Sequence, residues 1–404
     1  MGTRVNARKK NDAAVMIVGA GLLQLPAIRK AKKMGLRTIA VDVNPNAIGK
    51  CVADVFESVS TDDVEGALRL ARKYRPDGVL TLCTDAAIKT VAAINDALGL
   101  KGLTPQTAEI VTNKFLMRKR MDAAGIPCPK FMEAVTLSQT SEAAEKIQFP
   151  FVIKPVDSSG SRGVYLVENP TELAYKFENS IGYSKIGKVI IEQFMQGQEV
   201  SVESLTCDGV TSVITVTDKL VSPPPYFVET GHTEPSRLAA KTIAEIEDTT
   251  RTVVRELGID WSASHTEIKI TPAGPRVVEI GARLGGDFIT THLVPLSTGV
   301  DMVEAVIDLS LGIPPKRDHE FHKGAAIRYF TPQPGRIEKI TLPDWVLNHP
   351  AVKEFSIYTE VGSVVNTARS SEDRCGYVIV QGQDAAAAAS FAEKICGDVR
   401  FVTV

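Results

Sequence analysis

No stretch of 18 or more apolar residues occurs in this 404-residue chain, so no membrane-spanning helix is expected. Net charge is small as well, −2 from 46 basic and 48 acidic side chains, which leaves no basic stripe for nucleic acid. The six cysteines (Cys51, Cys83, Cys128, Cys207, Cys375, Cys396) show no C-x-x-C spacing. That scatter fits free thiols in a reducing, cytoplasmic compartment better than a disulfide framework or a zinc site. Near the start, basic "RVNARKK" precedes apolar "AAVMIVGAGLLQLPAI", the order of a secretory signal. Asp12 interrupts that order, and the apolar run resolves into a strand, a glycine turn and a helix. Gly2 is followed by Asn6 where a myristoylation signal needs Ser or Thr.

What remains is a composition for small-molecule chemistry: 44% apolar and 23% charged residues, typical of a globular chain. At ~100–200 residues per domain, two to four domains are expected. Residues 1–12 read as a flexible tail. Residues 13–106 alternate short apolar runs with helical patterns, which predicts a doubly wound parallel sheet. Residues 107–125 read as one helix stopped by Gly125, and "IPCP" forms a linker. Residues 107–312 then form a two-lobed α+β unit, a smaller lobe over about 128–205 and a larger one over about 206–312. Within it the Pro-rich stretch 222–236 reads as a long loop. A small α+β domain over 313–404 closes the chain.

Three motifs carry candidate chemistry. In "VGAGLLQLPAI", Gly19 and Gly21 follow a strand and open a helix, and Asp42 ends the next strand, as in a dinucleotide fingerprint. Gln24 stands where the third glycine belongs, so a plain tight turn serves as well as an NAD site. In "VIKPVDSSGSRG", Lys154 ends a strand and small residues follow, the pattern of a loop whose amides cradle phosphate, or of a simple hairpin. In "VIIEQFMQGQEVSVES", Glu192, Glu199 and Glu203 lie along strand segments, either as acceptors for adenine and ribose or as solvated edge acids.

The fourth stretch, "SHTEIKITPAGPRVVEIGARLGGD", has a turn at its centre and predicts an antiparallel hairpin. Pairing Ile270 with Arg276 sets Glu267 opposite Glu279, His265 opposite Gly281 and Lys269 opposite Val277. Two carboxylates face to face are destabilising without a cation. Hard oxygen donors with no cysteine suggest magnesium, held by one or two carboxylates beside substrate phosphates. A one-residue slip would send one acid to the other face. His265 reads as a hydrogen-bonded structural residue.

Taken in order, "TNKFLMRKRMDAAGIPCP", "FPFVIKP", the glycine-rich loop, "IIEQFMQGQEVSVE", the paired glutamates and "RLGG" resemble the ATP-grasp carboxylate–amine ligases over nearly the whole chain. "HTEIK", "ETGHTEPS" and "IRYFTPQPGRI" resemble the L-amino-acid ligase branch. The resemblance implies an ATP-grasp fold behind a parallel-sheet pre-ATP-grasp domain. It implies ATP phosphates on Lys114 and Lys154 under a loop of Ser158, Ser159, Gly160 and Gly163. Adenine would lie on Glu192 and the Phe194 backbone, and ribose on Glu199. Magnesium, or manganese in its place, would lie on Glu267 and Glu279. Arg283, Gly285 and Gly286 would contact the activated carboxylate. Glu229 and His232 are candidates for substrate recognition.

Gly281 departs from the pattern, because many members place a metal-binding Asn there. The function implied is amide formation through an acyl-phosphate, from small-molecule carboxylate and amine substrates, with neither nucleic acid nor membrane as partner and with a homodimer compatible. A bicarbonate-activating carboxylase and a non-catalytic nucleotide-binding module are the alternatives.

Overall fold

A computed structural model describes residues 13–223 and 226–404. The tail, Gly2 and Asn6 lie outside the described residues. Strands β1 (Ala14–Val18), β2 (Arg37–Val41), β3 (Val55–Glu57) and β4 (Gly78–Leu80) form a parallel sheet in the order β3-β2-β1-β4. Their apolar side chains divide between two cores, Val15 and Ile17 facing one and Met16 and Val18 the other. This is the covering on both faces that parallel sheets need. All six cysteines are free. Among the described residues no helix is long and apolar enough to cross a membrane.

The single helix expected over 107–125 is two, Pro105–Val111 and Lys114–Ala123. Asn113 breaks it: its side chain accepts from the amides of Phe115 and Leu116, both at 3.1 Å, which makes it the cap of a new helix. Lys114 thereby becomes a first-turn residue with no intrahelical partner for its N–H. That N–H donates instead to Val156 O at 2.8 Å and ties the lysine to the end of a strand in the smaller lobe.

The smaller lobe is an antiparallel sheet of β5 (Phe131–Ala134), β6 (Phe151–Pro155), β7 (Tyr165–Val167) and β8 (Val189–Gln193), in the order β5-β8-β6-β7. It ends sooner than expected. The following β9 (Gln198–Cys207) leads an eight-stranded sheet with β10 (Val210–Val221), β11 (Glu229–Glu234), β12 (Ser262–Thr271), β13 (Gly274–Gly281) and β14 (Gly324–Tyr329). Beyond lie β15 (Gly335–Thr341), β16 (Val352–Ile357), β17 (Val364–Val365), β18 (Gly376–Gly382) and β19 (Arg400–Thr403).

The large sheet runs β13-β12-β9-β10-β11-β14-β18-β16. Strands on either side of residue 313 share one sheet through the β11–β14 pairing. The stretch expected to be loop from 222 to 236 contains β11, a strand of sequence "ETGHTE" buried in the middle of that sheet. Its polar letters hid it, since they are balanced by neighbours and not by water: Thr217 Oγ1 and Ser297 Oγ donate to the Glu234 carboxyl at 2.7 and 3.0 Å.

Candidate active site

The hairpin β12–β13 is present with Glu267 opposite Glu279 and His265 opposite Gly281. Its register changes between Glu267 and Ile268, so Ile270 pairs with Pro275 and Lys269 with Arg276, each one residue off the uniform ladder expected from sequence. The extra residue is Val278, a bulge. Arg118, 1% exposed, fastens it: Nη1 donates to Val277 O at 2.8 Å and Nη2 to Val278 O at 2.7 Å. The bulge turns what would have been a one-residue slip back into a facing pair of carboxylates.

The two glutamates are about 30% exposed at the side chain and each carries its own cation. Lys114 Nζ donates to Glu279 Oε1 at 2.9 Å and to Ser158 O at 2.6 Å. Burial opposes the charge of Lys114, and Glu279 raises its pKa nonetheless. Lys219, which sequence reasoning missed, lies 2.7 Å from Glu199, 2.8 Å from Glu229 and 3.4 Å from Glu267. Its side chain is 3% exposed. Desolvation disfavours that ammonium, yet the three carboxylates hold it well above the ordinary lysine range. The same ammonium holds Glu267 well below the usual carboxylate range against the effect of burial. Sequence offered a signal, because Lys219 lies on a strand that alternates polar residues toward this face.

Lys154 and Glu192 meet at 2.7 Å, and Arg118 Nε reaches the other carboxylate oxygen at 2.7 Å. Burial works against ionisation, but Arg118 and Lys154 bring Glu192 down to about 2. Both oxygens of Glu192 are thus engaged by cations, and its main chain lies between β5 and β6 in the smaller sheet. The Phe194 amide donates to Pro150 O at 3.4 Å, and Lys269 Nζ lies 5.2 Å from the Phe194 ring centre. Glu199 is bound by Lys219 and lies 3.8 Å from Lys269. Ser158, Ser159 and Gly160 form an accessible turn, and Gly160 has φ 66° with open space where a Cβ would go. Gly163, also left-handed at φ 77°, packs between Pro155 and Tyr183.

At the end of β13, the Arg283 guanidinium grips Asp85 of the first sheet unit with Nε–Oδ1 at 2.9 Å and Nη2–Oδ2 at 3.1 Å. The Gly285 amide donates to Glu203 at 3.3 Å, and a Cβ on Gly285 would lie 2.6 Å from His265, so this glycine serves close packing. Gly286 has open space. His265 pairs through Nδ1 with buried Glu203, and Nε2 lies 3.6 Å from Glu267. Burial disfavours its charge, but Glu203 and Glu267 lift it to about 9, so it is an imidazolium at neutral pH.

A second cluster adjoins the first. Glu229, His232 and Asp287 bring one potential ligand atom each within 4.8 Å of one another. His232 is fully buried, with Nε2 3.5 Å from Asp287 and 3.8 Å from Glu229. Asp287 and Phe288 both have left-handed backbones, φ 50° and 62°, a strained geometry that functional sites concentrate. Arg374 holds both Asp287 oxygens, at 2.7 and 2.9 Å, and stacks 3.7 Å from the Tyr329 ring centre.

The glycine turn of the first sheet is closed to a dinucleotide. Gln24 folds over it, 3.0 Å from the place of a Gly19 Cβ, and donates to Leu82 O at 2.6 Å. Both Asp42 oxygens accept from main-chain amides, Ala20 at 2.8 Å and Asn44 at 2.9 Å, so this carboxylate braces the turn.

Two family models match the chain, an ATP-grasp domain over residues 147–291 and an L-amino acid ligase C-terminal domain 2 over residues 328–404. An uncharacterized protein, y4rH, of Sinorhizobium fredii is 27% identical over 92% of this chain and 79% of its own length. Alanine–anticapsin ligase of Bacillus subtilis is 28% identical over 61% of this chain, which spans 56% of that relative. The crystal structure of an L-amino acid ligase from Bacillus licheniformis superposes with a TM-score of 0.82 at 23% identity, covering 98% of this chain and all of the other. This chain therefore has the ATP-grasp fold, with an ATP-grasp domain around Lys154 and Glu279 and a C-terminal domain of the L-amino acid ligase type.

Proposed function

We propose that the chain is an ATP- and magnesium-dependent ligase that activates a substrate carboxylate and joins it to an amine. The observation that carries this reading is the pair Glu267–Glu279, held face to face by a bulge and flanked by Lys114 and Arg283. The donor set fits a hard divalent cation: two partly exposed carboxylates and no sulfur ligand. When bound there, the cation would neutralise phosphate charge and polarise the transferred group.

The chain's own groups supply the rest. Lys114 and Lys154 neutralise phosphate oxygens beneath the 158–163 turn, whose amides face the same anion. Arg283 holds the carboxylate in line with the γ-phosphate. Its oxygen attacks phosphorus, the bridging P–O bond breaks, and ADP leaves with the electron pair. The amine nitrogen then attacks the acyl carbon and expels inorganic phosphate. Fixed donors already in place at the developing charge are what make such a site effective.

The cluster Glu229–His232–Asp287 supports an amine as the group that attacks the activated carboxylate. An ammonium entering here would meet Glu229 and Asp287 oxygens that Lys219 and Arg374 now hold, beside the His232 ring, whose Nε2 lies 3.5 Å from Asp287 and 3.8 Å from Glu229. An ADP-release screen with Mg-ATP tests this, run against amino acids, dicarboxylates and bicarbonate with hydroxylamine to trap acyl-phosphate as hydroxamate. Amino acids should stimulate release and yield hydroxamate. Stimulation by bicarbonate alone would overturn the amide-ligase reading in favour of a carboxylase.

A further inference from the structure

The lack of a side chain at Gly281, between Glu279 and Arg283, has a geometric cause. Its φ is not left-handed, so freedom of the backbone does not explain it. A Cβ there would lie 3.1 Å from Nε and Cζ of Arg283 and 3.2 Å from Oδ1 of Asp85, well inside the ~3.5–4.0 Å of ordinary contact. A side chain at 281 would press on an ion pair whose two halves come from different units of the fold and push it by a few tenths of an ångström.

That pair is built rather than incidental. Asp85 meets the guanidinium edge-on with two bonds, the fork geometry that fixes orientation as well as charge. The segment carrying it is held to the same loop a second time, because Cys83 Sγ donates to Gly285 O at 3.2 Å. Cys83 does so from a left-handed backbone at φ 54°, a conformation retained only where surrounding contacts impose it. Of the five N–H donors of Arg283, two go to Asp85 and one, from Nη1, to Leu284 O at 3.2 Å. Two remain, one on each terminal nitrogen, enough for a two-point grip on a carboxylate or phosphoryl group.

We propose that Asp85 is the positioning residue of Arg283 and that glycine stands at 281 because their pair needs the room. Asp85 sets which edge of the guanidinium is presented to substrate, and the first sheet unit thereby takes part in the reaction without touching the reacting atoms. This rests on the reading of Arg283 as the group that grips the activated carboxylate and the departing phosphate.

Inorganic phosphate is the probe, titrated calorimetrically onto the Mg-ADP complex of the full chain, beside kcat and KM for ATP and for the best amino acid of the screen. Asp85→Asn is expected to weaken phosphate about tenfold and to lower kcat/KM for the amino acid by a similar factor, with ADP affinity and melting temperature close to those of the parent. Gly281→Ala is expected to do the same by displacing the guanidinium. In an Arg283→Lys background, both substitutions should cost less than about twofold. Equal costs in the two backgrounds, or a fallen melting temperature with phosphate binding intact, would reduce Asp85 to a packing residue and overturn the inference. If Arg283→Lys itself leaves phosphate binding and turnover unchanged, the fault lies instead with the functional reading of Arg283.

Discussion

The Lys219 ammonium lies 3.4 Å from the Glu267 carboxylate and closer still to Glu199 and Glu229, so one buried cation serves three acids from three different strands. A divalent cation arriving at Glu267 competes with this ammonium for the same charge. Lys219→Met removes the ammonium that the three acids share, leaving only Lys269 at 3.8 Å from Glu199 and His265 at 3.6 Å from Glu267, and breaking such a buried arrangement costs about 3 kcal/mol. Chemical denaturation should show that loss in metal-free buffer. Millimolar magnesium should restore a larger part of it in the variant than it adds to the parent. A variant whose stability ignores magnesium would disconnect Lys219 from the metal site.

Arg118 joins the nucleotide side to the metal side, since one guanidinium binds Glu192, Val277 O and Val278 O. Arg118→Met should cost about 3–5 kcal/mol, because a buried carboxylate loses a partner and two carbonyls lose their donors. Arg118→Lys should recover little, as an ammonium cannot span the three acceptors in one plane. Guanidinium titration gives the free energies. The Lys variant should also show weaker magnesium protection, since the bulge that keeps Glu279 opposite Glu267 loses its fastening. Full recovery by lysine would mean that charge alone matters here.

Glu279→Gln keeps the shape of the side chain and removes its charge. Lys114 retains Ser158 O as an acceptor, so the cost to folding should stay near 1–2 kcal/mol. Turnover should fall at least about a hundredfold, on the scale of losing one main electrostatic contact in a phosphoryl-transfer site. Circular dichroism and the ADP-release assay, run on one preparation, separate the two effects. Unchanged turnover would refute the metal assignment.

How far these groups could be read from sequence followed from how local their causes are. The hairpin was legible, since a proline-glycine turn between apolar runs specifies pairing, and Glu267 opposite Glu279 came out of that pairing. The bulge at Val278 was not, because its cause is Arg118, some 160 positions away. Strand β11 read as loop for a related reason: a polar segment is buried only when distant partners such as Thr217, Ser297 and Lys219 satisfy it. The Asn113 cap was readable in principle, as an N-cap residue before a helical run. The continuous sheet across residue 313 depended on a pairing between β11 and β14 that nothing local announces.

Two buried groups give stability a common direction with pH. Burial pushes the Glu234 carboxyl up to about 8 from an ordinary 4.5, while Glu203 and Glu267 overcome burial to raise His265 to about 9 from 6.5. In each case the folded chain keeps a proton that the unfolded chain has released. Stability therefore falls as pH rises, from about 4.5 to 8 for Glu234 and from 6.5 to 9 for His265. The contribution of His265 is complete below 6.5 and gone above about 9. Melting temperature should decline steadily between pH 6.5 and 9 as folding free energy falls by on the order of a few kcal/mol. Glu234→Gln, neutral at every pH and still within reach of the Thr217 and Ser297 hydroxyls, should flatten the curve below pH 8. His265→Gln should flatten it above pH 7 while lowering stability in neutral buffer, because Glu203 then lies buried without a cation. A melting curve of unchanged slope in both variants would show that neither group holds its proton.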